Sequence, residues 1–265
     1  MKRKLLIFTA VALIAASCNT QPKKTADASK GNETQKSASV QEMNTLSPQE
    51  AAQGWILLFN GKTGEGWRGV NKTDFPAGWI IENGTLKCVG SGRGEAGAAN
   101  GGDILYSPRQ FSNFDLKLDW KISEGGNSGV FYLGKEVKDW AIWKTAPEFQ
   151  LLDNERHPDA LLGKDGDRMA GSLYDLIPAK PQNTKPAGEW NSIEIICYQG
   201  TVVHKQNGAT IVEYHLWTPE WNDLVKNSKF PTLNPDWANV AKEGYIALQD
   251  HGNDVWFRNI KIRPL

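Results

Sequence analysis

The sequence contains few of the residues that metal and nucleophile chemistry require, because its 265 residues include only three cysteines and four histidines. It has no Cys-x-x-Cys pair, no His-Glu-x-x-His motif and no Gly-x-Ser-x-Gly turn. These absences argue against a zinc-thiolate site, a zincin metalloprotease and an α/β-hydrolase. The formal net charge is zero, whereas a nucleic-acid-binding protein ordinarily carries a basic face. We therefore expect no nucleic-acid partner.

Long hydrophobic segments are also absent, apart from a run of about a dozen residues near the N-terminus. A basic start, Met1-Lys2-Arg3-Lys4, precedes this run, which is too short to span a bilayer as a helix. The run ends in Ala-Ala-Ser directly before Cys18 and resembles a bacterial lipobox, although Ala15 stands where leucine is usual. We predict a lipoprotein signal peptide over residues 1–18 with Cys18 as the lipidated residue. A plain secretory signal is the alternative.

The segment that follows the signal, residues 19–46, is polar and almost free of apolar side chains. Such a segment cannot bury enough surface to offset the entropy of ordering, so we predict a disordered tether. The predicted product is a protein of the cell envelope, periplasmic or exposed at the surface, that is anchored to a bacterial membrane by lipid.

Residues 47–265 have the pattern of a single sheet-rich domain. Ser47-Pro48-Gln49-Glu50 is a helix-capping pattern, and beyond it apolar and polar residues alternate, as in residues 114–122. Asn83-Gly84 and Asn207-Gly208 are hairpin signals. Many short strands without a βαβ rhythm predict an all-β jelly-roll sandwich of two antiparallel sheets. Eight further strands are predicted: Trp55–Phe59, Gly129–Leu133, Glu148–Asp153, Ser172–Leu176, Asn191–Tyr198, Thr210–Leu216, Tyr245–Gln249 and Val255–Ile262.

Other composition signals allow more than one interpretation. Eleven tryptophans indicate either ligand platforms or large residues that fill a core. Cys88 and Cys197 lie in strand-like runs, and we favour two free core cysteines over a disulfide bridge. The long polar segments 154–170 and 217–243 are predicted loops, and loops of this length are more often functional than idle.

The most suggestive chemistry lies in the predicted strand 148–153. Glu148 and Gln150 share one face of it, while Phe149 points to the opposite, core side. A carboxylate beside an amide can transfer a proton and bind a sugar hydroxyl, whereas the ordinary alternative is a solvated strand face. Asp153 either joins this pair or caps the turn. The usual second carboxylate of a glycosidase is absent, because an amide, Gln150, stands two residues after Glu148.

Two further segments carry candidate ligand-binding groups. Asn127 lies in the glycine-rich turn 125–129, which allows a ligand to approach the backbone closely or simply makes a tight turn. His251 follows Gln249 at the end of a predicted strand, and an imidazole can exchange a proton near neutral pH. Glu148, Asp153 and His251 would bind a divalent metal ion only if the fold brought them together. No cofactor is required by the sequence, and a metal is left open.

Several separate motifs resemble one known family. They are Gly54-Trp55 with Leu57-Leu58-Phe59-Asn60-Gly61-Lys62-Thr63 and Gly66-Trp67-Arg68, Gly126-Asn127-Ser128-Gly129-Val130-Phe131, Glu148-Phe149-Gln150-Leu151-Leu152-Asp153, Pro186-Ala187-Gly188-Glu189-Trp190-Asn191, Leu248-Gln249-Asp250-His251-Gly252 and Phe257-Arg258-Asn259-Ile260-Lys261. In this order, over residues 47–265, they are similar to the 3-keto-disaccharide hydrolase family, whose fold is a concanavalin A-like sandwich.

The resemblance implies chemistry on an oxidised sugar. A ketone at carbon 3 acidifies the hydrogen on carbon 2, so a base can remove it and expel the group on carbon 1, after which water adds to the enone. Glu148 or His251 would transfer the proton. Arg68, Asn127, Gln150 and Gln249 would bind the hydroxyls and the enolate oxygen.

Two more residues complete this expected site. Asp153 would orient a partner, and Trp190 would be a platform or a core residue. The substrate would be a small molecule or an oligosaccharide. The alternatives are a non-catalytic carbohydrate-binding sandwich displayed on the cell envelope and a structural or adhesion protein, which would lack a pocket among these motifs.

Overall fold

The computed structural model describes residues 42–92 and 100–265, which fold into two antiparallel sheets. The strands are β1 (Ile56–Leu57), β2 (Trp67–Gly69), β3 (Trp79–Glu82), β4 (Thr85–Cys88), β5 (Ile104–Tyr106), β6 (Phe114–Ile122), β7 (Asn127–Gly134), β8 (Glu148–Leu152), β9 (Asn191–Tyr198), β10 (Thr201–Gln206), β11 (Ala209–His215), β12 (Tyr245–Leu248) and β13 (Val255–Pro264). The helices are α1 (Pro48–Ala52), α2 (Pro219–Lys226) and α3 (Phe230–Leu233), with 3₁₀ turns at Ile142–Lys144 and Pro158–Leu161.

The two sheets differ in the number of their strands. The eight-stranded sheet has the order β11-β10-β9-β6-β13-β4-β3, with β1 paired to β13, and the five-stranded sheet has the order β2-β5-β12-β7-β8. Every pairing is antiparallel. The predicted concanavalin A-like jelly-roll sandwich is confirmed.

Local sequence signals explain the hairpins and the first helix. Asn83-Gly84 joins β3 to β4 and Asn207-Gly208 joins β10 to β11, and all four residues have positive φ angles between 48° and 85°, as a tight hairpin turn requires. The capping box predicted at Ser47 is present, because the Ser47 hydroxyl accepts from the Glu50 amide while the Glu50 carboxylate accepts from the Ser47 amide.

The core lies between the sheets, and alternation along the strands decides which residues reach it. In β6 the apolar positions Leu116, Leu118 and Trp120 are buried in this core. In β7 and β8 both faces are buried. Val130 and Phe149 point into the core, whereas Phe131 belongs to a second, smaller apolar cluster on the outer face of the five-stranded sheet. That outer face is therefore covered by other segments, which is the condition for a cavity there.

The structure corrects one predicted strand. Residues 172–176 do not form a strand but touch the edge of β8 through an isolated bridge between Leu173 and Phe149. The extended path is broken at Asp175, whose φ is 58°. The segment still pairs with β8 through the Tyr174 amide, which donates to the Glu148 carbonyl at 3.1 Å.

The N-terminal boundary of the sandwich also differs from the predicted one at residue 47. Asn44, within the predicted tether, is only 5% exposed. Its amide donates to Asn259 Oδ1, and its own Oδ1 accepts from the Asn259 amide, both at 2.8 Å. These paired bonds extend the packed domain to the end of the tether segment. Cys18 and the predicted signal peptide lie outside the described residues.

The structure also describes the two core cysteines and the segment 217–243. Cys88 and Cys197 are buried and free, as favoured from the sequence. The segment 217–243 holds two short helices, α2 and α3, rather than loop alone. Within residues 42–92 and 100–265 no helix combines the length and the apolar character needed to cross a bilayer.

A polar network is enclosed in the core around His204, which is fully buried. The Tyr132 hydroxyl lies 2.7 Å from His204 Nε2 and 2.6 Å from the Tyr214 hydroxyl, and His204 Nδ1 lies 3.1 Å from the Gly171 carbonyl oxygen. Burial disfavours the imidazolium and lowers the pKa of His204 from 6.5 to about 4, although the Gly171 carbonyl opposes this shift.

Acidification should therefore destabilise the fold through His204. The contribution of neutral His204 to the free energy of unfolding is complete above pH 6.5 and is lost as the pH falls to 4. In this range His204 binds a proton in the unfolded chain but stays neutral in the folded core. The loss at pH 4 is about 3 kcal/mol. Urea unfolding across this range should show a shallower pH dependence for His204→Gln than for the wild type. His215→Gln, at an exposed histidine, is the control substitution, and equal slopes for His204→Gln and wild type would contradict the assignment.

Candidate functional site

A cavity of about 320 Å³ lies on the outer face of the five-stranded sheet, beside β7 and β8. Its size is at the lower end of the range of small-molecule sites, about 300–1,000 Å³. Four strand or strand-end residues form one side, and the others come from the covering segments. The lining residues are Asn127, Trp143, Glu148, Gln150, Tyr174, Lys229, Phe230, Leu233, Gln249 and His251.

Glu148 occupies its position because Gly129 on the neighbouring strand has no side chain. A Cβ atom at position 129 would lie 2.0 Å from Glu148 Oε1 and 2.7 Å from its Cδ, far closer than any non-bonded contact. The glycine in the motif Gly126-Asn127-Ser128-Gly129 is thus explained by the carboxyl group that rests against it. Glu148 is 8% exposed, so the alternative of a solvated strand face is wrong.

The surroundings of Glu148 favour its neutral form. Burial raises the pKa of the Glu148 carboxyl well above its usual range, and the negative charge of Asp103 raises it further. The positive charge of Lys229 acts in the opposite direction and lowers this pKa. A carboxyl tuned in this way is typical of a group that exchanges protons during catalysis.

Lys229 is held in the cavity by contacts with the segment that follows β8. Its Nζ donates to the Tyr174 hydroxyl at 3.2 Å and lies 3.4 Å from Asp175 Oδ2. Tyr174 in turn donates to Asp159 Oδ2 at 3.0 Å, and Arg168 pairs with both Asp159 and Asp175. This network fixes a cation within the cavity that contains Glu148.

Backbone and amide groups fix the strand ends that carry the polar residues. The Ser128 hydroxyl donates to the Gln249 carbonyl at 2.8 Å, and the Gln249 amide donates to the Gly129 carbonyl at 2.9 Å. With its amide nitrogen facing Glu148, Gln150 donates to Glu148 Oε1 at 3.3 Å and to the Ser128 carbonyl at 3.1 Å. Glu148 and Gln150 on β8 and Gln249 at the end of β12 are thereby held on the two sides of β7.

The His251 loop is anchored next to this group. The Asp250 amide donates to Asp103 Oδ1 at 3.0 Å, and the Gly252 amide donates to Asp250 Oδ1 at the same distance. The Asn127 amide donates to Asn253 Oδ1 at 3.1 Å, which joins the glycine-rich turn to the loop. Five predicted site residues therefore line one cavity: Asn127, Glu148, Gln150, Gln249 and His251.

Three predicted site residues do not reach the cavity. Arg68 lies on β2, the edge strand opposite β8, and four strand spacings separate these edges by roughly 19 Å. Its guanidinium binds the Glu136 carboxylate through two bonds of 2.7 and 2.8 Å. Arg68 is consequently held in an ion pair away from the cavity.

Asp153 and Trp190 also have structural contacts instead. The Asp153 carboxylate is buried and accepts from the Gly125 amide at 2.7 Å and the Glu155 amide at 3.1 Å, so it caps the turn, one of the two roles considered. Trp190 lies beside the eight-stranded sheet because β9 begins at the next residue. Its ring contacts Lys121 of β6 and Arg258 of β13.

Sequence reasoning missed several residues that the fold brings to the site. Lys229, Phe230 and Leu233 come from the segment 217–243, for which length was the only signal. No local pattern identifies Trp143 as a site residue, and the high tryptophan content is the only signal for it. Asp103 precedes β5, a three-residue strand that the sequence pattern does not predict. Burial raises the pKa of Asp103 to about 7, and the Asp250 charge adds to this effect while the Asp250 amide opposes it.

Metal binding was left open by the sequence. Among residues 42–92 and 100–265, no three or more His, Cys, Asp or Glu side chains are grouped so that they could hold a metal ion. Asp153, one of the three residues considered for such a site, is occupied as a turn cap. The described residues thus provide no donor set for the suggested metal.

The sequence and fold match known proteins over most of the chain. Residues 54–263 match the family described as the 3-keto-alpha-glucoside-1,2-lyase-like domain. The chain belongs to this family. It is 49% identical over 247 residues to a 3-keto-disaccharide hydrolase of Bacteroides thetaiotaomicron, with 87% of this chain and 85% of that protein covered.

Solved structures of Parabacteroides distasonis proteins agree with this membership. A putative glycosyl hydrolase from strain ATCC 8503 has a TM-score of 0.74 and 31% identity, with 84% of this chain and 100% of that chain covered. A second putative glycosyl hydrolase from the same strain has a TM-score of 0.59 and 29% identity, with coverages of 80% and 99%. The family assignment made from the motifs is confirmed by residues 54–263.

Crowding at Gly129 can be tested without any substrate. Gly129→Ala should destabilise the fold by about 1–3 kcal/mol, because the new methyl group must displace the Glu148 carboxyl. In the double variant Gly129→Ala/Glu148→Ala the clashing carboxyl is gone, so the cost should be smaller than the sum of the two single changes. Urea unfolding of all four proteins measures this coupling. Additive costs would show that the two residues do not compete for the same space.

Proposed function

We infer that this protein is a hydrolase that cleaves 3-keto-disaccharides. The observation that carries this conclusion is the buried, charge-tuned Glu148 in a cavity of a chain that is 49% identical to a 3-keto-disaccharide hydrolase. The family description names a lyase and the relative is named a hydrolase. The two names are compatible if cleavage is an elimination that is followed by addition of water.

The ketone makes this route chemically accessible without a pair of catalytic carboxylates. A base removes the proton from carbon 2, and the electron pair delocalises onto the oxygen of the carbon 3 ketone. When the ketone re-forms, a double bond forms between carbons 1 and 2, the bond from carbon 1 to the glycosidic oxygen breaks, and the departing oxygen takes a proton. Water then adds hydroxyl to carbon 1 and hydrogen to carbon 2, so the net reaction is hydrolysis with no change in oxidation state.

The positions of the cavity residues support one distribution of roles. Glu148 is the base for the carbon 2 proton, because a raised pKa matches a carboxylate to proton abstraction near neutral pH. Lys229 stabilises the enolate oxygen, since its fixed positive charge lines the same cavity. His251 donates the proton to the departing oxygen. Asn127 and Gln249 bind the ring hydroxyls.

Gln150 has a separate role in this scheme. Its amide contacts both Glu148 and the backbone of β7, so it orients the carboxyl for attack on carbon 2. Turnover requires the ionised form of Glu148, which Lys229 favours and Asp103 disfavours. The rate is accordingly expected to rise with pH as Glu148 loses its proton.

The alternative of a non-catalytic binding module fits the site less well. Trp190, the tryptophan expected to be a glycan platform, lies outside the cavity with cations against its ring. The cavity instead surrounds a buried titratable group. A structural or adhesion protein was expected to lack a pocket among the motif residues, and five of those residues line one.

Glu148→Gln should reduce the turnover of a 3-keto-disaccharide at least hundredfold, because a general base contributes about 10²–10⁴-fold to the rate. Release of free 3-keto-sugar, followed by chromatography, measures turnover, and circular dichroism verifies the fold. Glu155→Gln is the matched control, since Glu155 is an exposed acid outside the cavity. Near-normal turnover by Glu148→Gln would remove Glu148 from the mechanism.

We also propose that the protein is held at the cell envelope by a lipid on Cys18, as the Ala-Ala-Ser-Cys sequence suggests. In cells that express the full chain, Cys18→Ser should abolish incorporation of labelled palmitate and move the protein out of the membrane fraction. Ser17→Ala keeps a small residue before the cysteine and should leave both properties intact. Labelling of the Cys18→Ser protein at the wild-type level would refute lipidation at this position.

A further inference from the structure

A second cavity, of about 380 Å³, adjoins the first along the outer face of the five-stranded sheet. Trp143, Gln249 and His251 line both cavities and form a shared wall between them. The two volumes are similar, and the residue proposed to protonate the glycosidic oxygen lies in the wall. This arrangement suits a ligand of two similar units that are joined at the wall.

The chemistry of the second cavity differs from that of the first. Among the described residues that line it are two carboxyl groups, Asp103 and Asp250, and no lysine or arginine. Trp140 and Trp143 contribute aromatic surface. Carboxylate oxygens accept hydrogen bonds from hydroxyl groups, and aromatic rings pack against the apolar faces of sugars. An uncharged polyol therefore fits this cavity better than an acidic one.

Backbone amides hold both carboxyl groups in place. Asp103 Oδ1 accepts from the Asp250 amide at 3.0 Å. Asp250 accepts from the Gly102 amide at 2.7 Å and from the Gly252 amide at 3.0 Å. The two carboxyl groups are thereby fixed in the lining of the second cavity.

We propose that the second cavity binds the departing half of the substrate, a neutral sugar, while the 3-keto ring occupies the cavity of Glu148 and Lys229. This proposal rests on the inferred hydrolase activity and adds residues that determine its specificity. The scissile bond then lies at the shared wall, next to His251. Of these two cavities, Val70, Trp140 and Ala141 line only the second, so they contact only the departing sugar.

Filling the second cavity tests this assignment. Ala141 has an extended backbone, with φ −69° and ψ 145°, so a larger side chain is sterically tolerated by the main chain. Ala141→Phe would occupy the cavity, and the matched control is Ala52→Phe, which places the same side chain at the exposed end of α1. Each protein is assayed with a 3-keto-disaccharide of two glucose units and with the matching methyl 3-keto-glucoside, whose departing group is only methanol.

The expected result is a fall of at least tenfold in kcat/KM for the disaccharide with Ala141→Phe, while the value for the methyl glycoside stays within about twofold of the wild type. A disaccharide whose departing half is a uronic acid should be a poorer substrate of the wild type than its neutral counterpart. Equal losses on the disaccharide and the methyl glycoside, or no loss on either, would overturn the proposal.

A second variant protects the test against misfolding of Ala141→Phe. Trp140→Ala removes a wall of the cavity instead of filling it, and it should raise KM for the disaccharide but not for the methyl glycoside. Unchanged KM values for both substrates would again refute the subsite. A wild-type protein that cleaves neither substrate would refute the hydrolase function itself, a result distinct from failure of the second cavity.

Discussion

Desolvation of the Glu148 carboxyl is the constraint on which the site depends. A buried carboxyl without compensation strongly favours its neutral form, and here Lys229 supplies the opposing positive charge while Asp103 adds to the shift. The balance makes proton exchange by Glu148 responsive to small changes in its surroundings. Only a backbone without a side chain at position 129 leaves room for this group on the sheet.

The fold supplies the walls of the cavity through aromatic packing that begins in the core. Stacked rings connect Tyr214 to Trp221, Trp221 to Trp237, and Trp237 to Phe230, which lines the cavity. The Trp237 indole also donates to the Trp143 carbonyl at 3.0 Å. Two of the eleven tryptophans, Trp221 and Trp237, therefore fasten the segment 217–243, with its Lys229, over the five-stranded sheet.

Local patterns were sufficient for the parts of the fold that depend on neighbouring residues. The alternation in residues 114–122, the hairpins at Asn83-Gly84 and Asn207-Gly208, and the capping box at Ser47 all follow from short-range physics. The two-residue period also placed Glu148 and Gln150 on the face opposite Phe149. β2 and β5 were not predicted because three residues are too few to show a period.

The remaining site residues depend on contacts between distant segments, which no local pattern contains. Lys229 lines the cavity of Glu148 only because the segment that holds α2 and α3 folds over it, and the Asp103 charge acts on Glu148 only because β5 pairs with β12. The same reason explains why two residues predicted for the site, Arg68 and Trp190, lie elsewhere. Arg68 lies on the outer face of the same sheet but at its opposite edge, and Trp190 precedes a strand of the other sheet, a distinction that requires the sheet order.

The most direct test of this account is the titration of the Glu148 carboxyl by NMR of protein labelled with ¹³C at the glutamate side chains, with Glu148→Gln used to assign the signal. Glu148 should titrate with a pKa well above the ordinary 4.5, with a higher value in Lys229→Met and a lower value in Asp103→Asn. A Glu148 signal that titrates near 4.5 in the wild type, and that neither substitution moves, would contradict it.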